Sequence, residues 1–148
     1  MNYEVVDLEE KMVAGVSART SNTDPDCQKV IGGLWQKFMA QGVYESLTHK
    51  TSSYPIGLYS DYDETSYDVT IGAAVSENDS EDLTVKVIPA GKYAKFHITG
   101  DVVNAVCKAW NDIWAMPLER SFAADFEEYL SQDETTGIAE INIYVSLK

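Results

Sequence analysis

The second half of this 148-residue chain replays the first at matching intervals, and that duplication constrains the fold more than any single motif. The first half carries Ala14-Gly15, then Trp35 in a stretch of helical periodicity, then Tyr59 and Asp61 in an alternating stretch. The second carries Ala90-Gly91, Trp110 and Tyr129 in the same order. Ala14 to Trp35 is 21 positions and Ala90 to Trp110 is 20, so the landmarks keep register. Tyr67-Asp68-Val69-Thr70-Ile71 closes one half as Glu140-Ile141-Asn142-Ile143-Tyr144-Val145 closes the other. Two similar units packed about a pseudo-twofold axis create a seam, and seams between packed units favour ligand sites.

Local patterns fill in the units. Residues 4 to 20 read as a strand, and Asp24-Pro25 as a helix start, with an acceptor side chain before a proline at the first helical position. Val30, Ile31, Leu34, Trp35, Phe38 and Met39 then share one helical face, which Gly42 ends. Ile56 to Tyr62 and Tyr67 to Val75 read as paired strands. The run Ser76 to Asp82 is polar and acidic and divides the halves as a solvated loop; it lacks the glycine and the terminal glutamate of a calcium loop. Leu83 to Ile88 and Lys92 to Thr99 follow as strands. Gly100-Asp101 opens a second helix with Val102, Val103, Val106, Trp110, Ile113 and Trp114 on one face, and Pro117 stops it. Phe126 to Ser131 and Ala139 to Leu147 complete the pattern around a turn near Asp133 to Gly137. The expectation is an α+β fold: duplicated β-α-β-β units, about 1–76 and about 83–148, within one domain spanning 1–148. They would form an antiparallel sheet with two helices on one face and a pocket at the pseudo-twofold seam.

Charge narrows the partners. With 24 acidic against 11 basic residues the net charge is −13, a field that repels phosphate backbones and attracts cations. Direct nucleic-acid binding is not expected. Neither is a membrane span or a secretory leader, since no long apolar run occurs and the first residues lack a basic segment, so a cytoplasmic location is expected. Cys27 and Cys107 show no C-x-x-C spacing and read as buried thiols of a reducing compartment. Nine Tyr and three Trp supply enough rings to line a pocket as well as a core.

The sharpest local signal is Ala123-Ala124-Asp125-Phe126-Glu127-Glu128-Tyr129. On a strand Phe126 and Glu128 face one way, and Glu127 and Tyr129 the other. If the helices cover the Phe126 face, Glu127 and Tyr129 point to the opposite side or to the seam. A carboxylate among aromatic rings neutralises a ligand cation while the rings hold its apolar body. Trp35 and Trp110 lie on apolar helical faces, where a Trp serves a core as readily as a ligand. Tyr144 alternates away from Ile141, Ile143 and Val145 and should leave the face they share.

Trp110-Asn111-Asp112-Ile113-Trp114, followed by Arg120-Ser121-Phe122-Ala123-Ala124-Asp125-Phe126-Glu127-Glu128-Tyr129, resembles the GyrI-like, AraC-type effector-binding domain. The likeness is to the integron-associated, single-domain branch. Pro89-Ala90-Gly91-Lys92-Tyr93-Ala94 resembles its turn into the central strand, and Ala139 to Val145 its closing strand. The resemblance implies a pocket where the halves meet, taking small amphipathic molecules, often lipophilic cations, in the manner of multidrug-binding proteins. The acid of the family's D-F-E-x-Y motif falls on Glu127 and the aromatic after it on Tyr129. Trp110, Tyr59, Tyr44, Tyr144, Trp35 and Trp114 are the candidate aromatic wall. Family regulators of transcription add a helix-turn-helix, for which this chain has no room, so a partner such as a transcription regulator is expected instead of direct DNA contact.

No cofactor, metal site or catalytic constellation is expected. His49 and His97 neighbour no evident nucleophile, and the chain contains no G-x-S-x-G, H-E-x-x-H, P-loop or G-x-G-x-x-G motif. Two alternatives to effector binding stand beside it: an interaction protein that modulates a DNA-binding or other partner, and a hydrolase of strained electrophilic compounds with Glu127 as general base.

Overall fold

Antiparallel pairing links every neighbouring strand, as the duplicated pattern requires. In the computed structural model the described residues are 2–21, 27–40, 42–47, 49–77, 83–132 and 135–148. They form β1 (Glu4–Leu8), β2 (Lys11–Thr20), α1 (Cys27–Ala40), α2 (Val43–Ser46), β3 (Lys50–Ser60) and β4 (Tyr67–Val75). The second half supplies β5 (Thr84–Ile88), β6 (Gly91–Asp101), α3 (Val102–Ala115), β7 (Arg120–Gln132) and β8 (Ile138–Leu147). The strand order is β1-β6-β8-β7-β3-β4-β2-β5. Asp24-Pro25, the acidic stretch 78–82 and Asp133-Glu134 lie outside the described residues.

The order reads the same from both ends once the halves are matched: β5-β2-β4-β3 on one side, β1-β6-β8-β7 on the other. Lys11 and Gly91, which begin β2 and β6, are 80 positions apart, as are Glu4 and Thr84, which begin β1 and β5. The two long helices both have 14 residues, and Trp35 and Trp110 are each the ninth. The single strand expected over residues 4 to 20 is in fact two. It breaks at Glu9-Glu10 because β1 pairs with β6 of the other half, while β2 pairs with β4 and β5. The Ala14-Gly15 landmark also shifts: Gly15 lies in mid-strand opposite Gly72, whereas Ala90 sits in the link before β6. A Cβ on Gly15 would stand 2.0 Å from the Ile71 carbonyl oxygen, so that glycine answers a close backbone approach between β2 and β4.

The links explain the curvature. Strands stand about 4.8 Å apart, so a flat sheet would separate β1 from β2 by nearly 30 Å. Leu8 to Lys11 can span only about 11 Å. The sheet therefore bends back on itself, and its inner face gathers Val13, Ile56, Leu58, Ile88, Tyr93, Phe126 and Tyr144 into one buried cluster. The two long helices cover the other face. Leu34 and Phe38 of α1 pack with Val16, Val69 and Ile71, and Ala109, Trp110 and Ile113 of α3 pack with Phe96, Ile141 and Ile143. Each fully buried large apolar side chain contributes roughly 1.5–3 kcal/mol to holding these layers together. Met39 and Trp114, expected on the apolar helical faces, are half exposed, and the Cys107 thiol is exposed, not buried. No helix among the described residues is long and apolar enough to cross a membrane.

Candidate functional site

Strands β3 and β7 meet at the middle of the sheet, and Gly57 lies directly opposite Glu127. Tyr59 and Tyr129 each follow two positions later on the same face. A residue that pairs with its own counterpart lies on the symmetry axis. The axis thus carries glycine on one strand and glutamate on the other. A Cβ on Gly57 would stand 3.1 Å from Glu127 Oε1, so the missing side chain leaves the space that the carboxylate occupies.

The helices cover the Glu127 face and leave Phe126 to the inner cluster, the reverse of the arrangement that would have turned Glu127 away from them. Tyr59 donates its hydroxyl to Glu127 Oε2 at 3.1 Å, and Tyr129 donates to Oε1 at 2.6 Å. Trp110 Nε1 donates to Oε2 at 2.6 Å. Trp35 meets the Tyr129 ring in a T-shaped contact at 4.7 Å, and Tyr67 backs Tyr59 at 5.6 Å. Glu127 is only 2% exposed. Burial pushes its carboxyl above the ordinary 4.5, against the pull of its three hydrogen bonds. Burial, followed by the neighbouring carboxylate, holds the Tyr59 and Tyr129 phenols well above 10, so both remain donors. All three donors are neutral.

A second buried acid sits two residues earlier. Asp125 is fully buried, yet it is satisfied differently: Arg120 forms an ion pair with Oδ2, Tyr62 donates to the same oxygen at 2.5 Å, and the Ser146 amide donates to Oδ1 at 2.9 Å. A charge in a low-dielectric interior needs such a partner, and Asp125 has one where Glu127 has only dipoles.

Of the residues singled out in the sequence, the structure brings Glu127, Tyr129, Tyr59, Trp110 and Trp35 together. Trp114 leans on Trp110 at 6.2 Å from the half-exposed rim. Tyr44 lies apart on α2, packed on Phe38, with the Lys50 ammonium 4.1 Å over its face, so that ring already holds an internal cation. Tyr144 does leave the face of Ile141 and Ile143, but this takes it to the inner cluster, stacked on Phe126 at 4.5 Å on the far side of the sheet from Glu127. Gly57 is not among the sequence candidates, and Asp125 and Arg120 enter there only as part of the family-like run, with no role at the site. Gly57 was within reach of the sequence, because matching Tyr59 to Tyr129 sets it against Glu127. Arg120 carried no such signal, since an irregularity in β7 between Arg120 and Asp125 is what folds it back.

A duplicated α+β sheet with a polar group caged by rings on its axis defines a class of small-molecule-binding proteins. The chain belongs to the GyrI-like small molecule binding domain family, whose model matches residues 1–148. It is 29% identical over 154 residues to the putative transcriptional regulator protein YobU of Bacillus subtilis (strain 168), covering 97% of this chain and 96% of that one. Its fold is similar to SAV2435 bound to tetraphenylphosphonium, with a TM-score of 0.84, 21% identity, and coverage of 100% and 94%. It is also similar to an integron cassette protein from the mobile metagenome of Vibrio cholerae, with a TM-score of 0.79, 25% identity, and coverage of 99% and 95%.

Proposed function

We propose that residues 1–148 act as one effector-binding domain for lipophilic or amphipathic cations, with Glu127 as counter-ion inside a cage of Tyr59, Tyr129, Trp110 and Trp35. One observation carries this reading: a fully enclosed carboxylate that only neutral donors satisfy. An ionised group so placed gains most from a partner that brings positive charge without water. Three of its roughly four acceptor positions are taken, which leaves little for an ammonium or guanidinium that must replace several hydrogen bonds to water. A cation of diffuse charge and large apolar surface loses less, and tetraphenylphosphonium, named with the similar SAV2435 structure, has that chemistry. Its rings would replace the ring-to-ring contacts around the carboxylate.

The same saturation argues against Glu127 as a general base, because both oxygens already accept hydrogen bonds from groups that keep their own protons. A modulated protein partner is the second reading, favoured by the regulator name of the Bacillus relative. Titration with tetraphenylphosphonium, followed by tryptophan fluorescence, tests the first. Saturable quenching by the protein alone supports it, and quenching of equal strength in Glu127→Gln refutes the counter-ion role.

A further inference from the structure

Asp125 and Glu127 lie two positions apart on β7, and both are buried. Were both unpaired, the site would present two negative charges. Arg120 removes one of them. Its guanidinium, largely buried, pairs with the fully buried Asp125 carboxylate. The backbone is distorted to allow this: the pairing of β7 with β8 slips between Arg120 and Asp125, and Phe122 adopts φ 55, a left-handed conformation that a phenylalanine rarely takes. The guanidinium also stacks on the Phe122 ring at 4.3 Å, while Arg120 Nε is buried without a hydrogen-bond partner. Strained backbone and an unsatisfied donor are costs, and their common product is a cation held against Asp125.

We propose that Arg120 sets the charge of the ligand: by neutralising Asp125 it leaves Glu127 as the single uncompensated acid, so that the site selects monocations over dications. The inference rests on the reading of Glu127 as counter-ion. Arg120 acts through Asp125 as a positioning residue and does not touch the ligand.

The test uses two flat probes of one shape, N-methyl-4-phenylpyridinium with one charge and methyl viologen with two. Same-face neighbours on a strand lie about 7 Å apart, close to the separation of the two viologen nitrogens. The wild-type protein should prefer the monocation by about tenfold or more. Arg120→Gln should narrow or invert that ratio by about tenfold, Arg120→Lys should keep it, and Arg120→Gln with Asp125→Asn should restore it. Asp125→Asn alone, which keeps the shape of the carboxylate, should weaken the monocation about tenfold while sparing neutral 4-methylbiphenyl, because an unpaired Arg120 then opposes it. A lost fold would cost affinity for all three probes alike, so Asp125→Asn keeps the idea testable if Arg120→Gln does not fold. An unchanged ratio in folded Arg120→Gln, or equal losses for charged and neutral probes in Asp125→Asn, overturns the proposal. Glu127→Gln separates it from the reading beneath it. If that variant keeps monocation affinity, the counter-ion itself fails; if it loses affinity while the Arg120 variants leave the ratio alone, only the charge-setting role fails.

Discussion

Trp35 and Trp110 hold the same place in two copies of one unit and do different work. Trp110 gives its N–H to the Glu127 carboxylate, whereas Trp35 makes only a T-shaped contact with the Tyr129 ring. The cause lies on the axis between them. A symmetric pair of glutamates at 57 and 127 would set two carboxylates in contact in a dry interior, and a symmetric pair of glycines would leave nothing to bind charge. One glycine and one glutamate let both tyrosines converge on a single acid. Duplication supplies the cage, and one departure from it supplies the site.

Five substitutions break or sharpen this contrast. The largest effect on affinity is expected from Glu127→Gln, which should weaken tetraphenylphosphonium by about tenfold to a hundredfold, since it removes the negative charge facing the cation in a low-dielectric interior, where a close charge pair is worth more than in water. Calorimetry with the cation and a neutral analogue, tetraphenylmethane in mixed solvent, would show whether the loss follows charge. The pH dependence has a definite sign. Glu127 holds its proton above 4.5 in the folded protein, so cation affinity should rise as pH climbs from that value and the proton leaves. Over the same window the folded state binds more protons than the unfolded chain, so stability should fall as pH rises. Denaturant titrations of wild type and Glu127→Gln at several pH values would reveal that slope and its absence.

Gly57→Ala restores a side chain at the axis and should cost about tenfold in cation affinity, because a methyl 3.1 Å from Oε1 crowds the carboxylate. If affinity is unchanged, the glycine is not what makes room. Trp110→Phe keeps a ring but removes the donor, for an expected loss of about 1 kcal/mol, severalfold in affinity; Trp35→Phe, with no bond to Glu127 to lose, should change it less than twofold. Equal effects of the two would erase the distinction between the halves. Smallest for the ligand is Tyr144→Ala, expected to leave cation affinity within twofold while lowering stability by about 3–5 kcal/mol through loss of its stack on Phe126. A thermal melt and a titration on one sample would separate these outcomes.

Tyr67 to Val75 was legible to the residue, and the two long helices were evident from the period of their apolar positions, whereas the four-residue α2 is too short to show one. Glu127 and Tyr129 stood out because strand alternation puts them on one face. What alternation cannot say is which face a helix covers, and Tyr144 shows the consequence: its side was read rightly, yet that side proved to be the interior of a bent sheet. Curvature follows from the pairing of β1 with β6, a contact between residues about ninety positions apart with no local signature. The break at Glu9-Glu10 was hidden for the same reason, since two strands joined by a short link look like one long strand. The pairing of Arg120 with Asp125 has no sequence signal because a distorted β7 brings them together, and distortion obeys no period.

The exchange of edge strands bears on how the chain folds in time. Glu4 must find Lys95 and Lys11 must find Ile88 before either half has a finished edge. Closing loops of that length delays the gain in contacts, so a high contact order and slow, all-or-none folding are the kinetic outcome. Neither half can ripen alone as the chain is made: β6 has its neighbour β1 waiting from the first residues, whereas β2 waits for β5. Removing residues 1–8 would accordingly loosen hydrogen exchange first along β6, some eighty residues from the cut, and only later in the adjoining β2.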